Sequence, residues 1–357
     1  MNSFGKALRV TTFGESHGAG IGCVIDGLPA NLKVDYAKIK EWLDRRKPGQ
    51  NKYSTSRKEK EEFEILSGVF EGFTTGTPLA IYIANSDHKS SDYGSIKDLF
   101  RPGHADATYF YKYGIRDYRG GGRSSARESV ARVAAAGVAS LILEELNIVV
   151  KSGVSSVGNV DGKKYDFNHA KTSEIFSLDK SAEGAQKDKI LEAKNSHDSV
   201  GGTVVISILN APKGLGEPLY DKLDSRLAEV MMGINGAKGV EIGLGVNSSK
   251  VLGSKNNDLM DKSGFITNNA GGILGGISSG AEILVKVHFK PTPSIFHEQK
   301  TLDKDGNEVV CKLKGRHDPC IAIRGSVVAE AMAVLTIADM LLLNLGSKVE
   351  HLKKIYS

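Results

Sequence analysis

Residues 331–346, AMAVLTIADMLLLNLG, form the longest apolar run near the end of the chain. The run contains Asp339 and is too short to cross a bilayer, which takes about 20 apolar residues. It therefore reads as a buried helix within SVVAEAMAVLTIADMLLLNL, 326–345. A helix that is apolar all round needs other elements to cover it. Hydrophobic residues at 40% and charged residues at 25% are ordinary for a globular chain with a real core. A length of 357 residues allows two domains or one large one.

The rest of the chain alternates strands and helices. ALRVTTFG (7–14) and GIGCVIDGL (20–28) read as two short strands around a loop at 14–18. DYAKIKEWLDRRK (35–47) is an amphipathic helix with Ile39, Trp42 and Leu43 on one face. EILSGVFEGFTTGTPLAIYIANS (64–86) reads as a strand pair joined by Gly/Thr turns. In RSSARESVARVAAAGVASLILEEL (123–146), Ser125 and Glu128 have capping-box spacing, and Val130, Val133, Ala134 and Val138 give a helical stripe. Strands are expected at 147–158, 202–212 and 280–290, and a helix at 219–234. Residues 161–198 are polar and lysine-rich and read as an excursion, with a surface helix, placed as a lid. GGRSSA (121–126) echoes GGISSG (275–280), as duplicated halves would. The class is α/β (α+β) with mixed sheets, and no GxGxxG after a first strand supports a dinucleotide fold.

Charge and thiols narrow the function. A net charge of +5 with 42 interspersed acidic residues fits a mixed solvated surface better than a nucleic-acid stripe. Cys23, Cys311 and Cys320 form no CxxC pair, which points to reduced thiols. The first residues, MNSFGKALRVTTFGESHG, hold no apolar signal core, so a cytoplasmic protein is expected, with no membrane partner.

Five loops carry candidate chemistry. YRGGGRSSARES (118–129) joins three glycines to Arg123 and Arg127 just before a helix N-terminus, where free N–H groups attract anions. It lacks the lysine of a Walker A loop. A phosphate cradle and a plain capped turn remain open there. FGESHGAG (13–20) sets His17 beside Ser16 in a glycine turn, where a group with pKa near 6.5 can move protons. FRPGHADATY (100–109) gathers Arg101, His104 and Asp106, and KGRHDPC (314–320) gathers Arg316, His317 and Asp318. LDRRKPGQNKYSTSR (43–57) is a basic loop with Arg45, Arg46, Lys47, Lys52 and Arg57. None has metal-ligand spacing, so no metal site is expected. Many arginines with two or three histidines suit a small polyanion that loses or moves a phosphate. On these features alone, a Mg²⁺-dependent sugar-phosphate phosphotransferase or phosphatase and a basic nucleic-acid-binding protein remain as alternatives.

GESHGAGIGCVIDGLP, GGGRSSARESVARVAAAGV and GRHDPC resemble the signature segments of chorismate synthases. RRKPGQ, SGVFEG, FRPGHAD, DSVGG, MMGINGAKGVEIG, NNAGGILGGISSG and KPTPSI extend the likeness, in order, over nearly the whole chain. The resemblance implies one domain over 1–357 and a β-α-β sandwich with pseudo-repeated halves, its mixed or antiparallel sheets set around central helices. It implies conversion of 5-enolpyruvylshikimate 3-phosphate to chorismate by anti-1,4-elimination, with reduced FMN (FMNH2) lending and recovering electron density without net redox change. By resemblance His17 protonates the leaving phosphate, His104 protonates the reduced flavin near N1, and Asp318 with Ser16 forms a relay near N5. Arg46, Arg101, Arg127 and Arg316 hold the substrate. Arg123, Ser124, Ser125, Asn235, Gly236, Gly275, Lys290, Pro291, Thr292, Pro293, Ser294 and Arg316 contact FMN, and Arg46 and Lys52 face NADP. Lys47 and Lys52 stand where arginine is frequent in the family, and Gly236 where alanine is. The lysines keep charge but lose the bidentate fork. A homotetramer supplied with reduced flavin by an external reductase is expected, with NADPH as an indirect reductant.

Overall fold

The structure is a computed structural model that describes residues 1–55, 59–85, 94, 96–313 and 317–357. Its first part runs β1 (Ser3–Phe4), β2 (Arg9–Gly14), β3 (Gly20–Asp26), α1 (Tyr36–Arg46), β4 (Glu64–Ser67), β5 (Leu79–Ala84), α2 (Asp106–Tyr113) and α3 (Ser129–Glu145). Its second part runs β6 (Val149–Val157), β7 (Val160–Asp161), α4 (Phe167–Thr172), α5 (Glu183–Asn195), β8 (Gly202–Leu209), α6 (Leu223–Met232), β9 (Ala237–Ile242), β10 (Ile283–Phe289), α7 (Ala322–Leu343) and α8 (Val349–Tyr356). Short hairpins fill the connections, as at 69–74, 273–278 and 299–311.

Two five-stranded sheets result, ordered β1-β2-β3-β5-β4 and β9-β10-β8-β6-β7. Every ladder in them is antiparallel, which is the antiparallel form of the expected mixed or antiparallel sheets. The reason is local: neighbours such as β2 and β3 are joined by a tight turn, which a parallel pair cannot use.

The expected duplication is visible in the topology. With β1 and α2 set aside in the first half and β7, α4, α5 and α8 in the second, each half reads strand, strand, helix, strand, strand, helix: β2-β3-α1-β4-β5-α3 and β6-β8-α6-β9-β10-α7. In each sheet the four strands lie in the order first, second, fourth, third. The sequence echo does not mark this repeat. GGRSSA leads into the last helix of its half, whereas GGISSG forms a hairpin before the last strand of the other.

Helices α3 and α7 pack against each other, α3 on β2, β3 and β5, and α7 on β6, β8 and β10. Helices α3 and α7 therefore form the central layer between the two sheets. The stripe expected on α3 is widened, since Ala131, Ala135, Ala136 and Ala139 are as buried as Val130 and Val133. Helix α1 lies so close to α3 that a Cβ on Gly137 would come 3.1 Å from Ile39 Cα. Asp35 caps α1 by accepting from the Lys38 N–H at 3.0 Å. Burial of Ile39 and Leu43 is worth about 1.5–3 kcal/mol each.

The apolar run lies in α7, a core helix, up to Leu343, and its last three residues form a short 3₁₀ turn. Its Asp339 is buried and accepts from the N–H groups of Lys6, Ala7 and Leu8 at 2.8–3.1 Å. Residues 161–198 contribute α4 and α5, which pack against β6. Ala170 and Leu178 join Val205 in a small apolar cluster on that sheet. The excursion thus covers the second sheet rather than acting as a lid on the cavity below.

Candidate active site

The three glycines of the 118–129 loop all adopt positive φ: +66° at Gly120, +89° at Gly121 and +55° at Gly122. Their use becomes clear from what a side chain would strike. A Cβ on Gly120 would overlap the His17 ring, and one on Gly121 would lie 2.8 Å from His104 Cε1. The glycine turn is the thin partition between two histidines that are 87 residues apart in sequence. His17 sits on the turn between β2 and β3, 7% exposed, with Nδ1 3.2 Å from Ser16 Oγ.

After the turn, Gly122–Ser124 and Ala126–Glu128 form two 3₁₀ turns before α3. Ser125 caps the second, its Oγ accepting from the Arg127 N–H at 3.4 Å. The capping box is only half formed. The Glu128 carboxylate accepts instead from Thr12 Oγ1 and Arg132 Nε, each at 2.8 Å, with Arg123 3.5 Å away. A hydroxyl and two guanidinium groups outcompete one backbone N–H.

A cavity of about 480 Å³ opens on this turn and takes its walls from both halves. Arg101, His104, Gly120, Ser124, Ser125 and Arg127 line it from the first half. Asn235–Lys238 where the chain enters β9, Lys290–Ser294 after β10, and His317 and Asp318 before α7 with Arg324 in its first turn line it from the second. Pro48, Thr55 and Glu59 close it from the segment after α1. Asn235 Nδ2 donates to the Ser124 carbonyl at 3.0 Å and so ties the walls together.

The charges alternate. Arg101 donates from Nε and Nη2 to both oxygens of buried Asp106, at 2.7 and 2.8 Å. Burial pushes the His104 pKa down, and Arg101 and Lys290 add to this against the opposing pull of Asp106. Neutral imidazole is therefore its resting form. Burial and Lys238 also lower Lys290. Arg46 is fully buried and paired with Glu61, and Arg127 reaches Glu59 at 2.5 Å and Glu61 at 2.8 Å. Asp318 accepts from the Thr55 N–H at 3.0 Å and from Arg324 at 2.7 Å. Three arginines (46, 127 and 324) thus meet three carboxylates (59, 61 and 318), and the site is a balanced network rather than a bare basic patch.

Of the residues singled out in the sequence, His104, Asp318, Arg101, Arg127, Ser124, Ser125, Asn235, Gly236 and Lys290–Ser294 meet at the cavity. Ser16 and His17 stand behind Gly120. Arg46 lies beneath the site, beside Ser129 and Arg324. Arg123 donates to Gly14 O, Asn2 Oδ1 and Thr12 Oγ1 and does not line the cavity. Neither does Lys52, which lies over the Tyr53 ring, nor Gly275, in the 273–278 hairpin. Arg316 and Arg57 lie outside the described residues. Sequence reading passed over Glu59 and Glu61, which belong to a charge run, KEKEE, that reads as solvated. It also passed over Arg324, whose one signal is its place six residues after Asp318.

The family model described as chorismate synthase matches residues 8–342. The chain belongs to the chorismate synthase family. It is 62% identical to the chorismate synthase of a Nitratiruptor species over 356 residues, covering all of both chains. It is 57% identical to that of Helicobacter pylori (strain J99) over 363 residues, again covering all of both. A crystal structure of chorismate synthase superposes with a TM-score of 0.77 at 32% identity, covering 98% of this chain and 96% of the other. The chorismate synthase fold and its β-α-β layering are thus those of this chain.

Proposed function

We propose that the cavity beside the 120–122 turn is where this chain removes phosphate and the C6 hydrogen from 5-enolpyruvylshikimate 3-phosphate to give chorismate. The observation that carries this reading is His104 on the wall of a cavity rimmed by arginines, with His17 directly behind the same glycine turn. Arg101, Arg127 and Arg324 would meet the carboxylates and phosphate with planar forks. Arg46, sealed by Glu61, would act through its field. His17, oriented by Ser16, is the acid for the departing phosphate. His104 exchanges its proton through Nε2, because Nδ1 faces Arg101 and Asp106. Asp318, fixed by Thr55 and Arg324, holds a proton-accepting carboxylate at the opposite wall.

The cavity also fits reduced FMN. Thr292 Oγ1 is buried there without a hydrogen-bond partner among the described residues, so it awaits a ligand. Gly236, at φ +86°, lets backbone approach a ligand closely. Ser124, Ser125, Asn235 and Lys290–Ser294 would hold the cofactor, with Arg316 and Gly275 as further candidates. When bound, the reduced flavin lends and recovers electron density during the elimination. In this reading the whole chain acts as one domain, the enzyme is a cytoplasmic homotetramer, and an external reductase supplies the flavin.

Purified protein given substrate, FMN and dithionite under anaerobic conditions should release phosphate and form chorismate, with EDTA making no difference. NADPH alone should not support turnover. His17→Ala should lower turnover more than tenfold, the usual worth of a positioned acid. No turnover with fully reduced flavin would overturn the reading, and wild-type turnover in His17→Ala would remove that residue from it.

A further inference from the structure

Asp106 opens α2 and is 2% exposed, yet it does not line the cavity. Its two oxygens face four donors. Oδ2 accepts from the Arg101 N–H at 3.1 Å and from Arg101 Nε at 2.7 Å. Oδ1 accepts from Arg101 Nη2 at 2.8 Å and lies 3.0 Å from His104 Nδ1. Burial alone would raise this carboxyl, but the hydrogen bonds from Arg101 and His104 hold it well below the usual carboxylate range. It is therefore an acceptor only.

His104 Nδ1 touches two groups of opposite demand. Arg101 Nη2, at 3.1 Å, can only donate, and Asp106 can only accept. Nη2 carries two N–H groups, one on Oδ1 and a second that a bare Nδ1 could accept, so the Arg101 contact alone does not fix the tautomer and the contact with Oδ1 decides it. A proton on Nδ1 satisfies the ring and the carboxylate together, whereas a bare Nδ1 would set two lone pairs against each other at 3.0 Å. The other charges around the ring do not alter this choice. Arg116 reaches Asp106 at 3.6 Å and Lys290 stands across the cavity wall, both cations. The Cys311 thiol beside Arg101 and Asp106 is pushed up by burial and stays neutral.

We propose that Asp106 is a positioning residue of the site: its carboxylate fixes the His104 proton on Nδ1 and leaves Nε2 bare to take a proton at the cavity. The same carboxylate holds the Arg101 fork, so one buried anion sets both the cation and the proton carrier of that wall. An amide at 106 would present an N–H to Nδ1 and drive the ring to the other tautomer, leaving Nε2 protonated.

The test reads the tautomer directly. Histidine-labelled protein is studied by two-bond ¹H–¹⁵N correlation at pH 8, with the His104 signals assigned by their loss in His104→Gln. Wild type should show a protonated Nδ1 and a bare Nε2, and Asp106→Asn should invert the pattern. With substrate and reduced flavin, Asp106→Asn should also lose about a hundredfold or more in kcat. The acid limb of its pH profile should move to lower pH, because the anion that favours the protonated ring is gone. A bare Nδ1 in wild type, or an unchanged pattern in folded Asp106→Asn, overturns the proposal. If that variant does not fold, the wild-type spectrum alone decides. The kinetic arm rests on the reading of the cavity given above. The spectra use neither substrate nor turnover, so the two readings fail separately.

Discussion

A methyl group on Gly120 would take the space of the His17 ring, while one on Gly122 would find its nearest atoms 3.5 and 3.6 Å away, on Asp117 and Glu15. Both glycines have positive φ, so alanine at either costs about 1–2 kcal/mol of backbone strain. Only Gly120→Ala moves a histidine. Gly120→Ala should therefore cut turnover at least tenfold, while Gly122→Ala loses similar stability and keeps most of its turnover. Urea melts beside anaerobic assays check this, and equal activity in the two variants would refute it. The comparison bears on what sequence could show. The glycines were legible as a place where backbone comes close to something. That the something is His17 and His104 was not, because residues 17, 104 and 120 meet only through the fold. Glu59 and Glu61 were hidden for the converse reason: a run of mixed charges looks solvated whether its carboxylates face water or a buried arginine.

Helix α1 shows the same division one level up. Its span and its apolar face were legible, because Ile39, Trp42 and Leu43 follow helical spacing. Its basic end read as the start of a surface loop. In the structure Arg45 and Arg46, adjacent on the last turn, diverge to different buried partners. Arg46 turns to Glu61 beneath the cavity, and Arg45 clamps Glu330 of α7 at 2.7 and 2.8 Å with its guanidinium over the Trp42 ring. Glu330 is 4% exposed and also accepts from Ser152 Oγ at 2.7 Å. One helix end thus links the cavity floor, α7 and β6. Glu330→Ala strands the Arg45 fork, while the Ser152 hydroxyl keeps the Ser326 carbonyl at 2.9 Å, and should cost about 1–3 kcal/mol. Arg45 keeps some access to water, which holds the loss below that of a fully buried pair. An unfolding free energy from urea melts within about 0.5 kcal/mol of wild type, as at an ordinary surface site, would show that the clamp contributes nothing net.

At the scale of the whole molecule the two halves share one topology and one cavity, so their docking matters as much as their folding. The helical layer supplies most of it, but Asp339 supplies a specific joint. It projects from α7 of the second half and gathers the N–H groups of Lys6, Ala7 and Leu8, just before β2 of the first. In the sequence Asp339 served only as an argument against a membrane helix. Its true use depends on residues more than 330 positions away. Asp339→Ala leaves three N–H groups beside a core helix without an acceptor, and each such loss costs about 1–3 kcal/mol where water cannot enter. Because N–H groups near the chain terminus can move toward solvent, the expected total is about 2–4 kcal/mol. Asp339→Asn keeps one acceptor oxygen and should fall between the variant and wild type. The form of the change matters more than its size. If Asp339 joins the halves, both variants lower the urea midpoint of a single transition with an unchanged slope, since the surface exposed on unfolding is the same. If the joint is all that makes the halves unfold together, Asp339→Ala instead splits the transition in two, each with a shallower slope. The buried α3–α7 contact argues for the first outcome, and a midpoint equal to wild type would show that the N-terminal segment needs no such anchor.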